Sequence, residues 1–201
     1  MDYKITKRLL SIVLSVLLII ITSPIMLVTY LLIQISGGNA VYTQDRVGIN
    51  GEKFKIYKFR SMVKNSDSIL EKRISSGEVD VLGVKDKNDD RITKIGKIIR
   101  TTSIDELPQL FNILKGDMAI VGPRPLNENE TERISKFLDI EKKNSIRPGL
   151  VCYWQVTKNK NDMLFEERMA LDMKYIDEVS PIVDIKIFIQ AIRVVLSLGN
   201  H

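Results

Sequence analysis

Two carboxylates stand side by side in this chain, Asp105 and Glu106, with Arg100 shortly before them and Arg124 shortly after, in the run Val121-Gly122-Pro123-Arg124-Pro125. An arginine held between two prolines sits on a stiff backbone and presents its guanidinium at low entropic cost. That form suits bidentate phosphate binding. The plainer reading of Arg124 is a surface turn with a salt bridge. Carboxylates beside phosphate-type arginines point to a divalent metal shared between a carboxylate and a diphosphate, as Mg2+ prefers.

The residue types that are scarce narrow the chemistry further. The 201 residues include one histidine, His201 at the last position, and one cysteine, Cys152. Histidine acid/base catalysis, Ser-His-Asp triads and His/Cys zinc sites are therefore not expected, and no intramolecular disulfide can form. Carboxylates, lysines, arginines or a hard, oxygen-bound metal must do the work. The net charge of +5 calls for an anionic partner: nucleic acid, lipid headgroups or a phosphorylated small molecule.

Local structure must hold the two carboxylates in place. Leu107 precedes a proline and is biased away from helical backbone, so the next helix is expected to begin at Pro108. Leu107, Leu110, Phe111 and Leu114 recur at helical spacing, and Gly116 is a natural C-cap. Asp105 and Glu106 then fall in the turn before a helix N-terminus. Acidic residues there commonly cap the helix and complement its dipole, and Ser103 with Glu106 fits a capping box. Local physics alone favours this capping role over a chemical one. Helix N-termini also favour phosphate.

The remaining elements follow from pattern. Val41 to Met62 reads as a β-hairpin, with strands Val41-Tyr42-Thr43-Gln44 and Phe54 to Phe59 joined through Gly48-Ile49-Asn50-Gly51. A helix is expected around Ser66 to Ser75, followed by a loop to Asp90. The stretch Arg91 to Thr101 is helical in period, with Ile92, Ile95 and Ile99 in one stripe. Ser180-Pro181 opens a last helix whose apolar face carries Ile185, Phe188, Ile189, Ile192, Val195 and Leu196. Such a helix packs on a core or lies in a membrane interface, core packing being the default.

Leu9 to Ile35 contains no charged residue. As a helix it would reach roughly 40 Å, beyond the roughly 30 Å hydrocarbon core. It is too long for a cleaved signal peptide, and no small-x-small cleavage site follows it. Ser23-Pro24 sits near its middle, where proline removes a backbone hydrogen bond. Both flanks are basic: Lys4, Lys7 and Arg8 before, and Arg46, Lys53, Lys55, Lys58 and Arg60 after. A re-entrant helix kinked at Ser23-Pro24, entering and leaving by the cytoplasmic face, satisfies both features. A plain spanning helix stays open.

These residues together resemble the bacterial sugar transferase family, and more narrowly its small monotopic phosphoglycosyl transferases. The resemblance rests on Arg91-x-Thr93-x-x-Gly96, Ile99-Arg100, Ser103 to Leu110, Asn112 to Met118 and Val121 to Pro125. It extends to Thr43-Gln44-x-Arg46-x-Gly48, Phe54 to Met62, Arg147-Pro148-Gly149-Leu150 and Phe165-Glu166-x-Arg168. The resemblance implies an α+β, mainly helical fold: a re-entrant membrane helix over 1–38 hinged at Ser23 and Pro24, then a cytoplasmic catalytic domain over 39–201 with a small β-hairpin and interfacial amphipathic helices. It places the enzyme at the inner face of the bacterial cytoplasmic membrane.

It also implies a reaction. A UDP-sugar donates its phosphosugar to undecaprenyl phosphate and UMP is released, with Mg2+ as cofactor. Asp105 would be the nucleophile and metal contact, and Glu106 would deprotonate or position the acceptor. Lys58, Arg100 and Arg124 would hold phosphates. No nucleic acid partner is expected, and a homodimer stays open. After Leu150 the chain departs from the Thr-Gly-x-x-Gln-Val-x-Gly-Arg of many relatives and reads Val151 to Lys160 without the Gly-Arg pair. Trp154 in this stretch has three readings: a stack on uracil, an interface anchor or a packed aromatic. Three rivals remain: a single direct displacement, a non-catalytic membrane scaffold for glycan assembly, and a membrane-tethered nucleic-acid binder.

Overall fold

A computed structural model describes residues 3–76, 89–158, 160 and 162–197. The chain opens with a long helix, α1 (Tyr3–Ile35), followed by the antiparallel strands β1 (Val41–Val47) and β2 (Lys53–Phe59). The hairpin matches the sequence expectation with longer strands, running in register from Val41 opposite Phe59 to Val47 opposite Lys53. Its turn needs left-handed backbone at Asn50 and Gly51, which explains the Asn-Gly pair there. Then come α2 (Ser66–Ser75), α3 (Lys94–Thr101), α4 (Gln109–Lys115) and β3 (Ala119–Val121). The chain continues through α5 (Glu128–Ile134), α6 (Ile140–Lys143), β4 (Gly149–Val151), α7 (Phe165–Glu178) and α8 (Pro181–Leu196). The loop expected between α2 and Asp90 lies mostly outside the described residues.

A two-stranded sheet leaves open strand edges, and a helix closes one of them. Asn112 of α4 is fully buried; its Oδ1 accepts from the Tyr57 N–H at 2.9 Å and its Nδ2 donates to the Lys55 carbonyl at 2.7 Å. An amide side chain thus continues the ladder of β2 and locks α4 across it. Leu110 and Ile113 of α4 bury beside Ile56, Met118, Ile120, Val121, Tyr175 and Ile187 to form the main core. The parallel pair β3–β4 runs through its centre and was not legible as strands. Gly122 and Gly149 follow from that pairing, since a Cβ on Gly149 would stand 2.0 Å from the Gly122 nitrogen. Only backbone fits there.

α1 lies along this body and packs on it through one face. Leu14, Leu18 and Ile19 pack on the main core, while Met26 and Ile33 join a second cluster with Ala40, Phe59 and Ile99. The opposite face, including Ile20, Ile21, Leu27 and Ile35, is apolar and exposed. The helical backbone continues across Pro24. Pro24 has no N–H for the Ile20 carbonyl, and the Ser23 hydroxyl donates to that carbonyl instead, at 2.9 Å. The basic flank is engaged within the protein. Lys7 pairs with Asp184 at 2.9 Å, and Arg8 donates to the Ile113 and Leu114 carbonyls at the C-terminus of α4.

α8 corrects the sequence reading of its packed face. Ile185, Ile189, Ile192 and Val195 are exposed, together with Ile182, and the fully buried residue is Ile187. Phe188 and Val183 pack partly beside it. The broader apolar stripe faces outward because Ile187 and Val183 already fill the contact with the main core.

Candidate active site

The turn that carries the carboxylates is set from both sides. Thr93 caps α3, its hydroxyl accepting from the Gly96 N–H at 2.9 Å. Gly96 is pressed on the Ser61 carbonyl, where a Cβ would come within 1.8 Å, so α3 starts against the exit of β2. At its end Ser103 adopts left-handed backbone, φ 57°, and reverses the chain into a single 3-10 turn over Ile104–Glu106. Pro108 then takes helical backbone at the head of α4. Asp105 and Glu106 do lie just before a helix. No side-chain capping bond forms from Ser103 or at Pro108, however, so the capping box allowed by Ser103 and Glu106 is not made.

Electrostatics separates the two acids. Lys58, projecting from β2, pairs with Glu106 at 2.9 Å. Asp105 is pushed up to about 6, first by burial and then by the neighbouring Glu106 charge, against the pull of Lys58 and Arg100. One carboxylate is therefore balanced by a lysine, while the other is left basic for its type yet still ionised at neutral pH. That is the state in which a carboxylate attacks or ligates best.

Lys58, Arg100, Asp105 and Glu106 share this centre. Arg124 is held within a second group of charges, with Asp172, Lys143 and Arg46. There the backbone of Arg124 is gripped from both sides. Its N–H donates to Asp172 Oδ2 at 2.7 Å, and its carbonyl accepts from Lys143 Nζ at 2.7 Å. Asp172 and Lys143 are 0% and 4% exposed. Burial pushes Asp172 up to about 6, with the Lys143 charge opposing. Pro123 and Pro125 fix the flanking backbone, so the clamp leaves the guanidinium itself for other work. Arg46 pairs with Glu130 at 2.9 Å beside it. Cys152 is fully enclosed, its thiol pushed up by burial, and it feels both Arg124 and Glu106; the two groups flank it. Trp154 is a packed aromatic, with the guanidiniums of Arg124 and Arg168 over its ring.

Asp172 and Lys143 escaped the sequence reading. Asp172 had one signal: it falls between Met169 and Tyr175 at helical spacing, a charge where α7 needs an apolar residue. Lys143 had none. Ser23 and Pro24 lie exposed on the outer face of α1, remote in sequence from both groups.

Beside the carboxylate turn an apolar groove of ≈360 Å³ opens between α1 and the hairpin, bounded by Met26, Tyr30, Tyr57, Phe59, Pro108 and Phe111. It leads from the exposed face of α1 to the start of α4, next to Lys58 and the dyad in sequence. No group of three or more acidic, His or Cys side chains suited to a metal occurs among the described residues. Two adjacent carboxylates still fit Mg2+, which takes one or two protein carboxylates and completes its shell with water and substrate phosphate.

The profile of the family described as bacterial sugar transferase matches residues 2–198. The chain belongs to that family. It is 41% identical over 194 residues to an undecaprenyl-phosphate galactose phosphotransferase of Salmonella typhimurium, covering 94% of this chain and 40% of that protein. It is 41% identical over 196 residues to the galactosyl transferase CpsE of Streptococcus agalactiae, covering 97% of this chain and 43% of that one. Against the exopolysaccharide production protein ExoY of Sinorhizobium fredii the identity is 36% over 203 residues, covering 98% of this chain and 88% of the relative. The chain thus spans well under half the length of the first two. In this family member the Ser103 to Leu110 stretch forms the turn with the two carboxylates, and Gly122-Pro123-Arg124-Pro125 holds the clamped arginine.

Proposed function

We propose that this chain transfers a phosphosugar from a UDP-sugar to undecaprenyl phosphate, forming a sugar-diphosphate lipid and releasing UMP. The observation that carries the reading is the turn itself: two adjacent carboxylates just before a helix, one paired with Lys58 and the other raised to about 6. An Asp105 oxygen attacks the sugar-bearing phosphorus, and the bond from that phosphorus to the bridging oxygen of UMP breaks. The lipid phosphate oxygen then attacks the same phosphorus and frees Asp105. Two moderate displacements replace one difficult displacement. Glu106 positions the acceptor or takes its proton. Lys58, Arg100 and Arg124 hold phosphate oxygens as charge redistributes. Mg2+, when bound at Asp105, would neutralise diphosphate charge.

Membrane placement follows the same logic. One face of α1 packs on the domain along its length while the outer face is apolar; a helix that dips into one leaflet with Ser23-Pro24 at its middle would bury that outer face in lipid. The exposed stripe of α8 would rest in the interface, and the catalytic body on the cytoplasmic side. The apolar groove beside Pro108 accommodates the first isoprene units of the acceptor.

The test is UMP release from a panel of UDP-sugars with undecaprenyl phosphate and Mg2+, followed by mass analysis of protein quenched with donor alone. A phosphosugar adduct on Asp105 and ping-pong kinetics are expected. Sequential kinetics with no adduct would sink the covalent step, and no release from any UDP-sugar would sink the reaction.

A further inference from the structure

We propose that Arg168, working with Arg124 over the Trp154 ring, is a second phosphate-binding cation of this protein. The inference rests on the phosphoglycosyl transfer reading and adds a residue to it. Both guanidiniums lie over one indole, that of Arg168 at 5.0 Å and that of Arg124 at 5.9 Å from its centre. Trp154 is almost wholly enclosed, so it acts as a fixed platform. Both arginine residues keep partial exposure above it.

Charge accounting shows what the platform lacks. Arg46 is balanced by Glu130, and Lys143 by the buried Asp172. That leaves Arg124 and Arg168 as two positive charges without an ion-paired carboxylate among the described residues. They repel each other: Arg168 is lowered from its ordinary range first by burial and then by Arg124. The guanidinium of Arg168 makes one long contact, to the Lys160 carbonyl at 3.4 Å. Three buried donors of this group lack partners, Arg46 Nε, Trp154 Nε1 and Arg168 Nε, as does one acceptor, Asp172 Oδ1. Hydrogen bonding is incomplete in this cluster, and two unmatched guanidinium forks are completed by a doubly charged oxyanion.

The fold also couples the two arginines. Arg168 and Asp172 stand one turn apart on α7, on one face, and Asp172 grips the Arg124 backbone. One helix therefore sets the spacing of both guanidiniums. Arg168 also reaches back to the stretch after Leu150, at the Lys160 carbonyl.

The ligand is a phosphate group, supplied by either the donor diphosphate or the acceptor lipid phosphate. The experiment compares wild type, Arg168→Gln and Arg168→Lys as full chains in detergent, measuring UMP release with each substrate varied in turn. Arg168→Gln is expected to raise one KM about tenfold with kcat nearly unchanged, and Arg168→Lys to recover part of the loss. A rise in the UDP-sugar KM assigns the phosphate to the donor; a rise in the undecaprenyl phosphate KM assigns it to the acceptor. Both KM values within twofold of wild type, or a fall in kcat alone, overturn the proposal. UDP and farnesyl phosphate binding are titrated separately, so an inactive wild type, which would sink the reaction, does not block this test. Equal affinity of wild type and Arg168→Lys against a loss in Arg168→Gln upholds the site; equal affinity of all three for both probes overturns it.

Discussion

The carboxylate turn and the arginine cradle use burial for opposite ends. At the turn, burial acts on the reacting side chain: it holds Asp105 up near 6 while Lys58 neutralises Glu106 next door. At the cradle, burial acts on the groups beneath. Asp172 and Lys143 are sealed in and grip the two backbone polar groups of Arg124, leaving its side chain outside the clamp. A group that must react is tuned through its charge. A group that must hold is tuned through its position.

The sharpest way to break this comparison is to remove the charge at each place. Asp105→Asn keeps the shape of the turn and removes the nucleophile; UMP release should fall on the order of 10³-fold or more. Arg124→Met removes one phosphate contact and should cost about 10²-fold in kcat/KM. Both are read from steady-state UMP release. A larger loss in Arg124→Met than in Asp105→Asn would mean that charge neutralisation, and not covalent attack, carries the reaction.

The cradle can also be broken from below. Lys143→Met leaves Asp172 buried without its counter-charge and should lower stability by about 3 kcal/mol, read as a fall in the thermal midpoint. Combining it with Asp172→Asn should recover part of that loss, because the second change removes the stranded charge. Activity should not recover in the double variant, since the Lys143 half of the grip on Arg124 is gone. Full recovery of activity would show that the two prolines alone hold the arginine.

How much of this was legible before the structure depends on whether a feature is local. The hairpin, the helix ending at Gly116 and the position of Asp105 and Glu106 before α4 could be read from turn residues and period, because neighbours in sequence decide them. The capping box could not be judged: Ser103 has the right chemistry, but its left-handed backbone points the wrong way for it. The outward stripe of α8 was misjudged because periodicity finds an apolar face without saying what covers it. The strands β3 and β4 and the Asp172–Arg124–Lys143 clamp join segments far apart in the chain. Of these only Asp172, a charge at a core position of α7, left a trace in the pattern.

The smallest expected effect tests the turn most directly. If Asp105 reacts as its carboxylate, kcat/KM should fall about tenfold per pH unit below pH 6 and level off above it. Stability runs the other way. Between the ordinary aspartate value of 3.8 and about 6, the folded chain holds protons on Asp105 and Asp172 that the unfolded chain has released. Both residues therefore make folding less favourable as pH rises through that window. Activity should climb where this contribution to stability declines. Glu106→Gln separates the causes: burial is the largest and stays, while the second, the Glu106 charge, is removed, so the acid limb should move to lower pH by less than about one unit. A limb that stays at 6 in Glu106→Gln would assign the titration to a group other than Asp105.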